Sequence, residues 1–165
     1  MDRLTKAVLL ESAHGLDEIH VPVSKLEHWC PHEGRTRLRI LLVEDNILLG
    51  EALQEHLSSM GWEVTWVTGY RLGADTLCRV AFDVICLDRQ LPDGDGFDLL
   101  RNGLARCPTI IMSALDQLSD RLEAKRLGAA DYLTKPFRLE TLTHRISLLP
   151  GAGAGFAPDQ HSPRP

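Results

Sequence analysis

Five short apolar runs punctuate this chain, and each is followed by apolar residues at helical spacing. RILLV (39–43) leads into Leu49, Ala52, Leu53, Leu57 and Met60, a stripe that Gly61 brings to an end. The pattern returns as WEVTWV (62–67) before Leu72, Leu77 and Val80, and as FDVICL (82–87) before Phe97, Leu100 and Leu104. TIIM (109–112) precedes Leu118 and Leu122, and a last short run at Tyr132 and Leu133 precedes Leu139, Leu142, Ile146 and Leu149. Strands alternating with helices predict an α/β fold, and near-continuous apolar strands such as VICL fit a parallel sheet covered on both faces.

The flanks read differently. Residues 1–37 hold four of the seven histidines and no sustained period, which predicts a flexible N-terminal extension. Residues 38–149 are long enough for one core, and the Gly/Ala/Pro-rich stretch 150–165 predicts a disordered tail. A net charge of -5 without a basic run argues against direct nucleic-acid binding. The longest early apolar run, Ala7 to Leu10, is broken by Glu11, so neither a signal-peptide core nor a membrane span is expected, and a cytoplasmic location follows. Cys30, Cys78, Cys86 and Cys107 form no CxxC pair and are expected to be reduced bystanders.

In open α/β sheets, ligands sit beyond the carboxyl ends of the strands, so the polar residues that close each apolar run carry the chemistry. These are Glu44 and Asp45 after the first strand, Asp88 after the third, Ser113 after the fourth and Lys135 after the fifth. Two carboxylates about 4 Å apart repel by roughly 4 kcal/mol at an effective dielectric near 20, so a cluster of three calls for a cation. All-oxygen donors favour Mg2+, with Mn2+ as the alternative, and leave room for a phosphoryl group facing Lys135 and Ser113. Taken singly, the residues have plainer readings: Asp45 and Asn46 as helix caps, Ser113 with Asp116 as a capping box, Lys135 as a solvated lysine and Tyr132 as packing. DGDGFD (93–98) fails as a calcium loop because its twelfth position is Leu104 rather than Glu. His28, Cys30 and His32 lack zinc-finger spacing and a fourth ligand.

RILLVEDN (39–46), ICLDRQLPDGDG (85–96), TIIMSA (109–114) and DYLTKPF (131–137) resemble the receiver domain of two-component response regulators, CheY-like and nearest the OmpR/PhoB type, across about residues 38–149. Asp45 lies 43 residues before Asp88, Asp88 25 before Ser113, and Ser113 22 before Lys135. The middle interval is a few residues short for the family, which predicts a trimmed third helix or loop.

The resemblance implies a doubly wound, flavodoxin-like, three-layer αβα fold with five parallel strands in the order 2-1-3-4-5. That order belongs to the family and is a stock example of this architecture, not something spacing reveals. It further implies that Asp88 is the phosphoacceptor, that Asp45, Asp88 and the main-chain carbonyl of Gln90 bind Mg2+ directly and Glu44 through water, and that Lys135 and Ser113 meet the phosphoryl oxygens. Ala114 keeps access open. Tyr132 matches the family's switch aromatic, acting with Ser113, and Lys135-Pro136 is a candidate cis peptide.

The implied partners are a sensor histidine kinase or phosphotransfer protein and an unidentified downstream protein, with no membrane. The implied chemistry is slow autodephosphorylation rather than metabolic catalysis. The chain reads as a receiver without an output domain. One alternative is a truncated OmpR/PhoB-type transcriptional regulator, whose fifth helix KPFRLETLTHRISLL (135–149) resembles. Another is an aspartate-nucleophile phosphatase, which needs Asp-x-Asp where this chain has Asp88, Arg89 and Gln90. A symmetric dimer formed on phosphorylation is expected to be weak. Of the subfamily's three ion pairs, Asp131 and Arg145 match one and Arg121 half of another, while Thr141 stands at the missing acid and Ala130 and Ala152 at the third.

Overall fold

The structure, a computed structural model, describes residues 37–150. The expectations for residues 1–36 and 151–165, including His28, Cys30, His32 and Ala152, lie outside the described residues. β1 (Arg39–Val43), β2 (Glu63–Val67), β3 (Val84–Asp88), β4 (Thr109–Ser113) and β5 (Asp131–Thr134) form one parallel sheet in the order β2-β1-β3-β4-β5. The flavodoxin-like order expected from the resemblance is the one observed.

Alternation along the strands divides the core into two layers, because successive side chains point to opposite faces. Ile40, Leu42, Val84, Cys86, Ile110 and Met112 join Leu53, Leu57, Leu142 and Ile146 of helices α1 (Ile47–Ser59) and α5 (Leu139–Ser147). Leu41, Val43, Ile85, Leu87 and Ile111 face α2 (Tyr70–Arg79), α3 (Phe97–Arg101) and α4 (Leu118–Leu127) with Phe97, Leu99 and Ala124. β3 and β4 are buried throughout, as central strands covered on both faces must be. Burial pushes the thiols of Cys86 and Cys107 up to about 12, so both are protonated and unreactive at neutral pH.

Helix ends follow local chemistry. Asn46 caps α1 by accepting from the Leu49 N–H at 3.1 Å, and Gly61, at φ 82°, turns the chain out of that helix in the left-handed conformation glycine tolerates best. The short interval before Ser113 is taken up by α3, only five residues long, so Leu104 falls in the loop behind Gly103 instead of on the helix. Val80 likewise lies just past α2.

Three leucines depart from expectation. Leu72, Leu118 and Leu122 are more than half exposed, although their spacing placed them on buried helix faces. α4 instead buries Asp120 and Ala124, and α2 buries Gly73.

Asp93 serves α2, which begins at Gly69 without a side-chain cap of its own. Its carboxylate accepts the N–H groups of Tyr70 at 2.7 Å and Arg71 at 3.0 Å, and the hydrogen bonds from Arg71 and Tyr70 hold its pKa below the usual range. A depressed folded pKa adds stability that is present above the unfolded value and is lost as pH falls through the folded one. Asp93→Ala is expected to lower the melting temperature by a few degrees at pH 7, and the gap from wild type should close in acid; thermal denaturation at both pH values checks this.

Candidate functional site

The carboxyl ends of β1, β3 and β5 bring four of the singled-out residues together. Glu44 follows β1 and is fully buried, Asp45 beside it is exposed, and Asp88 ends β3 with 5% exposure. One carboxylate oxygen from each lies within 4.8 Å of the others. Lys135, the first residue beyond β5, donates through Nζ to Glu44 Oε2 at 2.7 Å and to Asp88 Oδ2 at 2.5 Å.

Three carboxyl groups face one ammonium in a partly dry pocket. Burial pushes the Glu44 carboxyl above its ordinary value despite the opposing hydrogen bond from Lys135. Burial alone would lower Lys135, but hydrogen bonds to Asp88 and Glu44 outweigh it, and the ammonium titrates above its usual range. Lys135 is therefore charged at neutral pH. The clustered hard oxygen donors suit a divalent cation.

The loop after β3 closes tightly on Asp88. Asp88 Oδ1 accepts the Gln90 N–H at 2.9 Å, and Gln90–Leu91 pairs antiparallel with Gly94–Asp95. Gly96 ends this turn by donating its N–H to the Arg89 carbonyl at 2.7 Å. Lys135-Pro136 is cis, as the resemblance implied.

Ser113 and Tyr132 are joined through one residue. The buried Ser113 Oγ accepts the Leu115 N–H at 3.1 Å, while the Tyr132 hydroxyl donates to the Leu115 carbonyl at 2.6 Å. Tyr132 is turned inward, 4% exposed, with the Arg121 guanidinium 5.4 Å from its ring centroid. Ser113 is not a helix cap, since α4 starts only at Leu118.

Sequence reasoning missed a connection on the other side of Asp88. Arg89 donates to the Asp120 carboxylate and lies 4.5 Å from the Phe97 ring centroid, with all but a sixth of its side chain covered. Burial opposes the Arg89 charge, but Asp120 more than compensates and raises its pKa. The residue next to Asp88 is thus ion-paired to the first turn of α4. No local pattern announces a pair 31 residues apart.

The charged residues considered for a dimer interface find partners within the chain. Arg145 pairs with Asp131 at 3.3 Å, and Arg121 with Asp116 at 2.7 Å and with the Thr134 hydroxyl at 2.9 Å.

Residues 40–147 match the response regulator receiver domain family. The chain belongs to that family. The transcriptional regulatory protein QseB of Escherichia coli is 43% identical to this receiver over 115 residues, which cover 68% of this chain and 52% of QseB. The response regulator PmrA of Pseudomonas aeruginosa is 40% identical over 124 residues, covering 73% of this chain and 56% of PmrA. The chain thus spans about half the length of these curated relatives.

Among solved structures, the non-phosphorylated HemR receiver domain of Leptospira biflexa superimposes with a TM-score of 0.63 at 36% identity, covering 67% of this chain and 92% of that one. The receiver domain of a Pseudomonas aeruginosa PAO1 sensor histidine kinase, solved with magnesium coordinated in its active-site cleft, gives a TM-score of 0.60 at 31% identity, covering 67% and 95%. This chain is a receiver domain of a two-component response regulator, and no described helix is long and apolar enough to cross a membrane.

Proposed function

We propose that this receiver accepts a phosphoryl group on Asp88 in a Mg2+-dependent step and thereby changes a protein-binding surface. The observation that carries the proposal is the buried Asp88 carboxylate, hydrogen-bonded to Lys135 and clustered with Glu44 and Asp45 where three strands end. The magnesium found in the cleft of the kinase receiver supports the choice of cation.

Asp45, Asp88 and the Gln90 carbonyl would hold the ion directly and Glu44 through water. Bound there, it offsets charge on the phosphoryl oxygens. The other work belongs to the chain. An Asp88 oxygen attacks phosphorus, an O–P bond forms, and the P–N bond of a sensor kinase or phosphotransfer phosphohistidine breaks, returning its electron pair to the imidazole. In transfer from an acyl phosphate, the carboxylate leaves instead. Lys135 keeps its charge throughout and meets the phosphoryl oxygens as it now meets the carboxylate.

Ser113 completes the set by exchanging its contact with Leu115 for a phosphoryl oxygen. Because Leu115 also holds the Tyr132 hydroxyl, that exchange loads the segment leading into α4. The output is a repositioned α4–β5–α5 face read by a downstream protein, with slow loss of phosphate and no metabolic turnover. The name of the QseB relative, a transcriptional regulatory protein, supports a role in transcriptional control. A cytoplasmic setting fits the partners. Any dimer on this face is weak, since Asp131, Arg145 and Arg121 already have partners within the chain.

Incubation with acetyl phosphate and Mg2+ followed by intact-mass measurement is expected to show one added phosphoryl group, mapped to Asp88 by borohydride trapping. Label on another residue, or equal labelling without Mg2+, would overturn the proposal. Asp45→Ala should weaken Mg2+ binding at least tenfold in a calorimetric titration while leaving the fold unchanged, because an exposed direct ligand is lost.

A further inference from the structure

We propose that Trp66 is a positioning residue for the cation site: its indole N–H fixes the peptide joining Glu44 to Asp45 and so sets where both carboxylates point. The inference rests on the metal-site reading given above and adds to it a residue outside the acidic cluster.

Glu44 lies one residue beyond the ladder between β1 and β2, whose last pair is Val43 with Val67. Its main chain is nevertheless held at both ends from β2. The Glu44 N–H donates to the Val67 carbonyl at 3.0 Å, and the Glu44 carbonyl accepts Trp66 Nε1–H at 2.9 Å. An indole N–H on a partly buried ring needs an acceptor, and this one finds it at the turn that carries two acids. The peptide unit is planar, so holding the Glu44 carbonyl also fixes the nitrogen and Cα of Asp45.

The other contacts at this turn are made by the Glu44 side chain. Glu44 Oε2 takes the proton-bearing Nζ of Lys135, and Glu44 Oε1 accepts the Asn46 N–H at 3.3 Å. Glu44 therefore faces inward to Lys135 while Asp45, one residue on, is exposed. That division requires a defined peptide orientation between them, which Trp66 supplies.

The helix opposite is built around this indole. A Cβ added to Gly50 in α1 would lie 2.2 Å from the Trp66 ring. Glycine is a poor choice in a helix interior, and its presence here is explained by the space the ring occupies. Gly50 admits the ring, and the ring reaches the carbonyl.

The deciding experiment replaces Trp66 with β-(3-benzothienyl)alanine, which keeps the bicyclic shape but has sulfur in place of the N–H. Mg2+ dissociation constants are measured by NMR titration beside melting temperatures. The expected result is a dissociation constant raised about three- to tenfold, the scale of one lost neutral hydrogen bond, with the melting temperature lowered by no more than a few degrees, the cost of that same bond to the fold. Site-specific 5-fluorotryptophan, which retains the N–H, should restore wild-type affinity. In the wild-type chain the Trp66 indole proton should exchange with solvent more slowly when Mg2+ is added, and this slowing should vanish in Asp45→Ala.

Wild-type Mg2+ affinity in the benzothienyl variant would overturn the positioning role while leaving the metal site standing. So would a loss of affinity accompanied by a fall in melting temperature well beyond the few degrees of one hydrogen bond, or one that 5-fluorotryptophan fails to restore. A wild-type chain that binds no Mg2+, or an Asp45→Ala variant that binds it normally, would instead remove the metal-site reading, and the positioning role with it.

Discussion

Asp88→Asn is expected to reduce phosphoryl acceptance from acetyl phosphate by at least about a thousandfold while leaving a folded receiver. The amide has nearly the shape of the carboxylate but no anionic oxygen to attack phosphorus. Its oxygen can still accept the Gln90 N–H, as Asp88 Oδ1 does at 2.9 Å, so the following turn stays closed. The change falls on the other side, where an amide N–H2 meets Lys135 in place of the carboxylate oxygen that accepts at 2.5 Å. Lys135 keeps Glu44 at 2.7 Å and is not left unpaired. The cluster loses one of three mutually repelling charges, so the melting temperature should stay within a few degrees of wild type even as Mg2+ binding weakens. Intact-mass spectrometry after acetyl phosphate treatment reads the first effect and thermal denaturation the second. Labelling of the Asn variant at a wild-type rate would place the acceptor elsewhere.

The acidic rim is legible in the sequence because strand ends in an α/β sheet converge, and apolar runs mark where strands end. Glu44, Asp88 and Lys135 are distant in sequence, yet each closes such a run, and the structure joins them through hydrogen bonds from one ammonium. The brevity of α3 could be read from the interval before Ser113, since a five-residue helix is what a shortened span leaves room for.

Periodicity failed for α4 for a definite reason. It tells which residues share a face but not which face packs, and Leu118 and Leu122 share the exposed one. The buried face holds Asp120, which is tolerable inside because Arg89 arrives from the neighbouring loop with its charge. Neither residue suggests the other in the sequence. Trp66 is hidden differently: as an aromatic residue in a strand it reads as packing, and its N–H meets the Glu44 carbonyl only once the chain is folded.

Gly96→Ala should destabilise the receiver by about 2 kcal/mol, within the usual 1–3 kcal/mol range for overpacking, and slow Asp88 phosphorylation about tenfold or more. Backbone conformation is not the cause, since Gly96 lies at φ -54° and ψ -31°, where any L-residue is comfortable. Space is the cause: an added Cβ would sit 2.2 Å from the main-chain oxygen of Asp88 and 3.1 Å from the Arg89 Cα. Those atoms are backbone and cannot swing away as a flexible side chain would. The turn must open, and the parts that move are the Asp88 carbonyl, the Gly96 N–H bond to Arg89 and the nearby Gln90. The sign is informative, because Gly→Ala in right-handed helical geometry with free space stabilises by roughly 0.4–1 kcal/mol through the unfolded chain. Gly61 provides the contrast: it has nothing within 4 Å of an added Cβ but a φ of 82°, so Gly61→Ala costs only the left-handed strain, about 1–2 kcal/mol, and leaves phosphorylation unchanged. Urea denaturation and acetyl phosphate labelling of both variants separate the two effects. If Gly96→Ala matched wild type in both assays, the close approach of Gly96 to Asp88 would be refuted, and with it the tight closure of this turn on Asp88.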